Sequence, residues 1–162
     1  PETGFVKGIE LSPDGSIPVD GFLRATDMVF AAGDIASYPD WRAGRRARIE
    51  HWSVALQQGR TAAMNRLGME VRYAGVPFFW TAQAGLNLRY VGHATSWDST
   101  ITWGSIPDKE FITFFVSDGV VLAACGNRRD TEMDAIEELL RLRKMPWPEE
   151  LASGPIDLKA FL

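Results

Sequence analysis

The sequence predicts an α/β segment followed by an α+β domain built on a mostly antiparallel sheet, and three observations carry that prediction. A continuous apolar run, Met28-Val29-Phe30-Ala31-Ala32, ends in Gly33-Asp34, as a strand buried on both faces does. Small and apolar residues recur at three- and four-residue spacing between Glu50 and Leu67, the mark of one helix face. Beyond Gly75, aromatic and β-branched segments alternate with turn residues and give way to one amphipathic helix.

Taken in order, Ile9-Glu10-Leu11 and Ile17-Pro18-Val19 flank Asp14-Gly15, a dipeptide suited to a tight hairpin, so the opening is predicted as two short strands with Pro18 at an edge. The run Met28 to Ala32 is the next strand. It puts the Asp34 carboxylate at a carboxyl end, where α/β sheets bind ligands. In the helix from Glu50 to Leu67, the buried face is predicted as Trp52, Ala55, Leu56, Gly59, Ala62, Ala63 and Leu67, an Ala/Gly stripe implying close packing. A border near Val71 to Pro77 divides the chain into 1–72 and 73–162. Strands follow around Phe78 to Thr81, Leu88 to Gly92, Thr100 to Trp103, Phe111 to Ser117 and Val120 to Cys125, with Asp118-Gly119 as a second hairpin turn. The last helix runs from about Thr131 to Lys144. Thr131 is its predicted N-cap, Met133, Ile136, Leu139 and Leu140 its buried face, and Pro146 its stop.

Composition narrows the function classes. With 162 residues, 46% of them apolar, the chain can enclose a core. A net charge of −4 gives no overall attraction to nucleic acid. No apolar run approaches the roughly 20 residues that span a bilayer, so no membrane association is expected. The single cysteine, Cys125, sits in an apolar run and reads as a small hydrophobe, which fits a reducing cytoplasm. The opening Pro1-Glu2-Thr3-Gly4 lacks an initiator Met, so residues upstream are expected. Two distant histidines, His51 and His93, with Cys125 make no metal set. Neither a Gly-x-Ser-x-Gly elbow nor a Gly-x-Gly-x-x-Gly or Gly-x-x-x-x-Gly-Lys loop occurs.

One run stands out chemically, Thr26-Asp27-Met28-Val29-Phe30-Ala31-Ala32-Gly33-Asp34-Ile35-Ala36. Alone, it also reads as an ordinary buried strand ending in a Gly-Asp turn. It resembles the second FAD signature of two-dinucleotide-fold flavoproteins, where a glycine admits the cofactor to the backbone and the carboxylate accepts ribitol hydroxyls. The stretch Arg48-Ile49-Glu50-His51-Trp52-Ser53-Val54-Ala55-Leu56-Gln57-Gln58-Gly59-Arg60 resembles the segment that follows this signature in reductases of aromatic-ring dioxygenases, in rubredoxin and putidaredoxin reductases and in apoptosis-inducing-factor-like proteins. Val76-Pro77-Phe78-Phe79-Trp80-Thr81, Leu88-Arg89-Tyr90-Val91-Gly92 and Ile156-Asp157-Leu158-Lys159 are similar to the same family's C-terminal domain.

The resemblance implies the tail of a FAD-binding Rossmann-like domain over 1–72 and a reductase C-terminal domain over 73–162. It implies FAD as cofactor, NADH or NADPH as electron donor, and a ferredoxin, rubredoxin or Rieske-type iron–sulfur protein as acceptor. Gly33, Asp34 and Ile35 would meet the ribitol, His51 and Trp52 the pyrimidine side of the flavin at a helix amino end, Glu50 the nicotinamide side, and Trp80 the isoalloxazine. Trp80 also reads as a core aromatic of the sheet. No acid/base role is assigned to His51, because hydride transfer needs alignment more than proton transfer. Arg45, Arg46 and Arg48 form the one concentrated basic patch, which reads either as a docking surface for an acidic iron–sulfur protein or as a solvated loop. A non-catalytic binding or dimerisation module is the rival reading. The isolated chain is expected neither to hold FAD stably nor to turn over NAD(P)H, and to self-associate, with a homodimer formed through the C-terminal domain or through exposed apolar surface of the FAD-domain remnant.

Overall fold

Turn chemistry and strand pairing divide the chain between Gly75 and Val76. The computed structural model describes residues 1–162, which form two compact units, Pro1–Gly75 and Val76–Leu162.

In the first unit a turn does form at this place, but it is centred on Pro13-Asp14: Gly15 N–H donates to the Ser12 carbonyl at 2.8 Å, and Gly15, not Asp14, takes a positive φ of 78°. Only its second flank is a strand, however. Strand β1, Ile17–Pro18, pairs in parallel with β2, Ala36–Asp40, which pairs antiparallel with β3, Arg45–Ala47. Ile9 to Leu11 is not a strand, and Pro18 does sit at the edge of the order β1-β2-β3. The predicted strand Met28 to Ala32 is absent too. Phe30 makes one isolated antiparallel bridge with Arg24, while Met28 and Val29 are 67% and 40% exposed. With no strand beside it, an apolar run has nothing to supply its backbone ladder.

Helix α1, Trp52–Arg66, follows the predicted extent but turns a different face inward. Val54, Gln58, Thr61 and Asn65 are buried, whereas Trp52, Leu56 and Leu67 of the predicted stripe are 61%, 67% and 82% exposed. Gly59 faces open space and makes no close packing. The polar inward face is possible because its groups are bonded: Asn65 Nδ2 donates to the Phe22 and Val71 carbonyls, both at 2.7 Å, and its Oδ1 accepts from Val71 N–H.

The second unit is a five-stranded antiparallel sheet of order β4-β5-β8-β7-β6, from Phe78–Gln83, Leu86–Gly92, Ser99–Ser105, Glu110–Ser117 and Val120–Asn127. Asp118 and Gly119 both have positive φ, 50° and 72°, the geometry of the two-residue turn that joins β7 to β8. Helix α2, Asp130–Leu142, packs Met133, Ile136, Leu139 and Leu140 on one face of this sheet, as its spacing predicts, with Ala135 added. Gly126 makes the close approach possible, since a β-carbon there would meet the Met133 sulfur at 2.8 Å. The cap differs: Arg129 occupies the N-cap with no side-chain bond to the helix backbone, its guanidinium meeting Glu132 at 2.7 Å instead, and Thr131 lies inside the helix. The end comes from Arg143 in the left-handed region, with Lys144 N–H reaching back to the Leu139 carbonyl at 2.9 Å, before Pro146 is met. A short helix α3, Pro148–Ala152, and a 3-10 turn, Leu158–Phe161, close the core. Trp103, 3% exposed, donates its indole N–H to the Leu151 carbonyl at 2.7 Å.

Candidate functional site

A single 3-10 turn, Gly33–Ile35, carries three of the predicted cofactor residues. Gly33 has φ of 77°, and a β-carbon there would stand 3.2 Å from the Ala55 Cβ on α1, so both conformation and space call for glycine. Its N–H donates to Gln58 Oε1 at 2.8 Å. Asp34 is exposed and its carboxylate has no partner within the chain, while its backbone carbonyl accepts from Arg48 Nη1 at 3.1 Å. Ile35 is half-buried against the small core of Ile17, Val19, Leu23 and Tyr38.

The amino end of α1 is built by its own sequence. His51 is the N-cap, its Nδ1 accepting from Ser53 N–H at 3.4 Å and lying 2.7 Å from Ser53 Oγ. Trp52 is exposed, its ring 5.8 Å from the imidazole. Glu50 is bound to the Arg48 guanidinium, which holds its carboxyl below the usual carboxylate range. Arg48 Nε also meets Asp14 Oδ2 at 3.0 Å. The Asp14 carboxyl is lowered to about 2, chiefly by the hydroxyl and amide of Ser16, with Arg48 adding to the effect.

The three arginines of the basic patch therefore differ. Arg46 ties the short strands together, donating to Ser37 Oγ at 3.1 Å, to the Val19 carbonyl at 2.7 Å and to the Ser37 carbonyl. Arg48 is held between two carboxylates. Arg45 is exposed on β3 with no such contact.

Trp80, on edge strand β4, is 56% exposed and stacks on Phe78 at 6.1 Å. Its cross-strand partner Arg89 is clamped by Asp130 at 2.8 Å and Asp134 at 2.9 Å. A cavity of about 610 Å³ lies beside these residues, with Glu137 on its wall. Burial raises the Glu137 carboxyl, and Asp134 and Glu138 add to the rise. Cys125 is half-buried on β8, its thiol also pushed up by burial.

Several site residues escaped the sequence reading. Beneath the Gly33 turn lies a polar cluster: Gln58, Tyr38, Tyr73, Asp40 and Arg42. Arg42 donates to the Gly75 carbonyl at 3.2 Å, and its Nε lies 3.0 Å from Asp40 Oδ1 without hydrogen-bond alignment. Tyr73 is pushed up to about 12 by burial, and Tyr38 is raised further by the same cause. The two rings meet edge to face at 5.2 Å. The signal available was Val54, Gln58, Thr61 and Asn65 at helical spacing, a stripe hidden because most of its members are polar.

The profile of the family described as reductase C-terminal matches residues 78–162. Apoptosis-inducing factor 3 of Homo sapiens is 37% identical over 144 residues, which cover 86% of this chain and 24% of that protein. The ferredoxin–NAD(+) reductase component of the anthranilate 1,2-dioxygenase system of Burkholderia cepacia is 32% identical over 164 residues, covering 100% of this chain and 40% of its own length. Among solved structures, the covalent putidaredoxin reductase–putidaredoxin complex contains a chain that superposes with a TM-score of 0.83 at 26% identity, over 95% of this chain and 37% of that one. The chain thus spans between a quarter and two fifths of the length of these curated relatives.

Proposed function

The chain belongs to the reductase C-terminal family, and we propose that it is the carboxy-terminal part of a FAD-dependent oxidoreductase that takes electrons from NADH or NADPH and passes them to a ferredoxin-type iron–sulfur protein. In this reading residues 1–72 are the tail of the FAD-binding domain and residues 73–162 the reductase C-terminal domain. The relative from Burkholderia cepacia, named a ferredoxin–NAD(+) reductase component, favours NADH and a ferredoxin.

The observation that carries the reading is the Gly33–Ile35 turn. It offers a carboxylate exposed to a ligand and unpartnered within the chain, on a backbone whose neighbouring position has no side chain. Such a donor-seeking carboxylate fits the hydroxyls of a ribitol chain. FAD, when bound, supplies the two-electron acceptor and one-electron donor chemistry. The protein supplies placement. Asp34 accepts hydroxyl hydrogens, the amino end of α1 with about half a positive charge favours an electron-rich ring beside it, and His51 holds the first turn in place. Trp52 and Trp80 are the exposed aromatic faces we assign to the flavin, and Glu50 the carboxylate assigned to the nicotinamide side. Arg45 is the cation left for docking an acidic acceptor, because Arg46 and Arg48 are committed to the fold.

The absorption spectrum of the full-length protein tests the proposal. A flavin band bleached by NADH or NADPH without oxygen, and restored by oxidised ferredoxin, is the expected result. A colourless protein that takes up no added FAD would overturn it.

A further inference from the structure

We propose that Gln58 is a positioning residue that pre-forms the Gly33–Asp34 turn for its ligand, an inference that rests on the FAD reading above. Gln58 lies in the middle of α1 and is 0% exposed. Its Oε1 accepts the Gly33 N–H inside the protein, whereas its Nε2 and the hydroxyl of neighbouring Tyr73 face each other without the alignment of a full hydrogen bond. A half-satisfied buried amide destabilises a fold relative to an apolar side chain of the same length. What an apolar residue lacks is the acceptor for Gly33.

That acceptor decides which way the turn faces. Ala55 and Gln58, three residues apart on one face of α1, meet Gly33 together: the Ala55 methyl limits its approach and the Gln58 oxygen draws its N–H inward. Arg48 holds the next carbonyl, that of Asp34. With both backbone groups engaged from the protein side, the Asp34 side chain is left outside without a partner. A ligand that binds Asp34 then meets a turn already in shape and loses less freedom on binding.

The test uses the full-length protein with its FAD removed. Gln58→Met keeps length and removes the acceptor, whereas Gln58→Glu keeps an oxygen in place. The Met variant should bind FAD about tenfold more weakly by fluorescence titration, and the Glu variant should stay within about threefold of the parent. In the same variants, amide hydrogen exchange across residues 31–36 should quicken with Met and not with Glu. Unchanged FAD affinity and unchanged exchange in the Met variant would overturn the proposal. If the Met variant does not fold, the parent decides: a protected Gly33 amide in the FAD-free protein supports the pre-formed turn, and exchange at the rate of an open loop sinks it. A parent that takes up no FAD at all instead overturns the functional reading, while the Gly33 amide still reports on the Gln58 contact.

Discussion

Helix α2 lays Met133, Ile136, Leu139 and Leu140 on its sheet, whereas α1 turns Gln58, Thr61 and Asn65 inward with Val54 as their one aliphatic companion. The second unit is therefore held by close packing of large apolar groups such as Phe114, Ile112 and Leu151, none more than 0% exposed. The first unit has a smaller apolar core, around Ile17, Val19 and Leu23, and adds to it hydrogen bonds between side chains and distant backbone, made by Asn65, Gln58, Arg42 and Arg46. The difference teaches where each kind of force is useful. Apolar packing is non-directional and builds a scaffold, while hydrogen bonds fix orientation, which a ligand-holding turn needs.

Cutting a core side chain in the second unit should have the largest effect. Leu139→Ala should cost about 3–5 kcal/mol in denaturant unfolding, because the rigid sheet beneath it cannot collapse into the gap. In the first unit the equivalent blow is polar. Asn65→Ala should cost about 2–3 kcal/mol, leaving the Phe22 and Val71 carbonyls and the Val71 amide without partners, and Val71 should lose its protection from hydrogen exchange. A loss below about 1 kcal/mol would mean that apolar contacts govern both units after all.

Asp34→Ala separates holding the fold from holding the ligand. Its carboxylate is exposed and has no partner in the chain, so the stability of the 162-residue chain should hardly change. In the full-length protein, FAD affinity should fall by about tenfold to a hundredfold, measured by flavin retention and titration. Unchanged affinity would remove Asp34 from the site.

The smallest effect tests whether directional contacts matter even at the surface of the first unit. The Asp14 carboxyl is lowered from its ordinary 3.8 to about 2, mainly by Ser16. Because the folded value is the lower one, its contribution to stability is complete above the ordinary value and is lost as pH falls through about 2. A carboxyl titration followed by NMR should show a midpoint near 2 for Asp14, and Ser16→Ala should move it upward.

What could be read from the sequence follows the same division. The spacing of Met133, Ile136, Leu139 and Leu140 displays the buried face of α2 directly, because apolar pattern and burial are one fact there. Asp118-Gly119 is equally legible, since its residue types are those that accept positive φ. In α1 the helix was readable and its face was not. Asn65 is buried by carbonyls as far away as Phe22, 43 residues earlier, and no local pattern announces them. Met28 and Val29 misled for the opposite reason: apolarity marks what could be buried, while their exposure shows that nothing in this chain covers them. In the candidate site, the Gly33-Asp34 turn is legible from its residue types, but the acceptor beneath it, Gln58, belongs to the hidden polar stripe.

Of the six tryptophans, Trp103 is the one removed from water, whereas Trp52, Trp80, Trp97 and Trp147 are each at least half exposed and Trp41 is intermediate. Its indole N–H is spent on Leu151, across the last segment of the chain, and its ring meets Phe114 edge to face at 4.9 Å. Trp103 thus contributes the buried, blue-shifted part of the protein's tryptophan emission. Blue-shifted emission from Trp103 belongs to the state in which α3 is docked on β6, and exposure of its ring on loss of that packing moves its emission to the red.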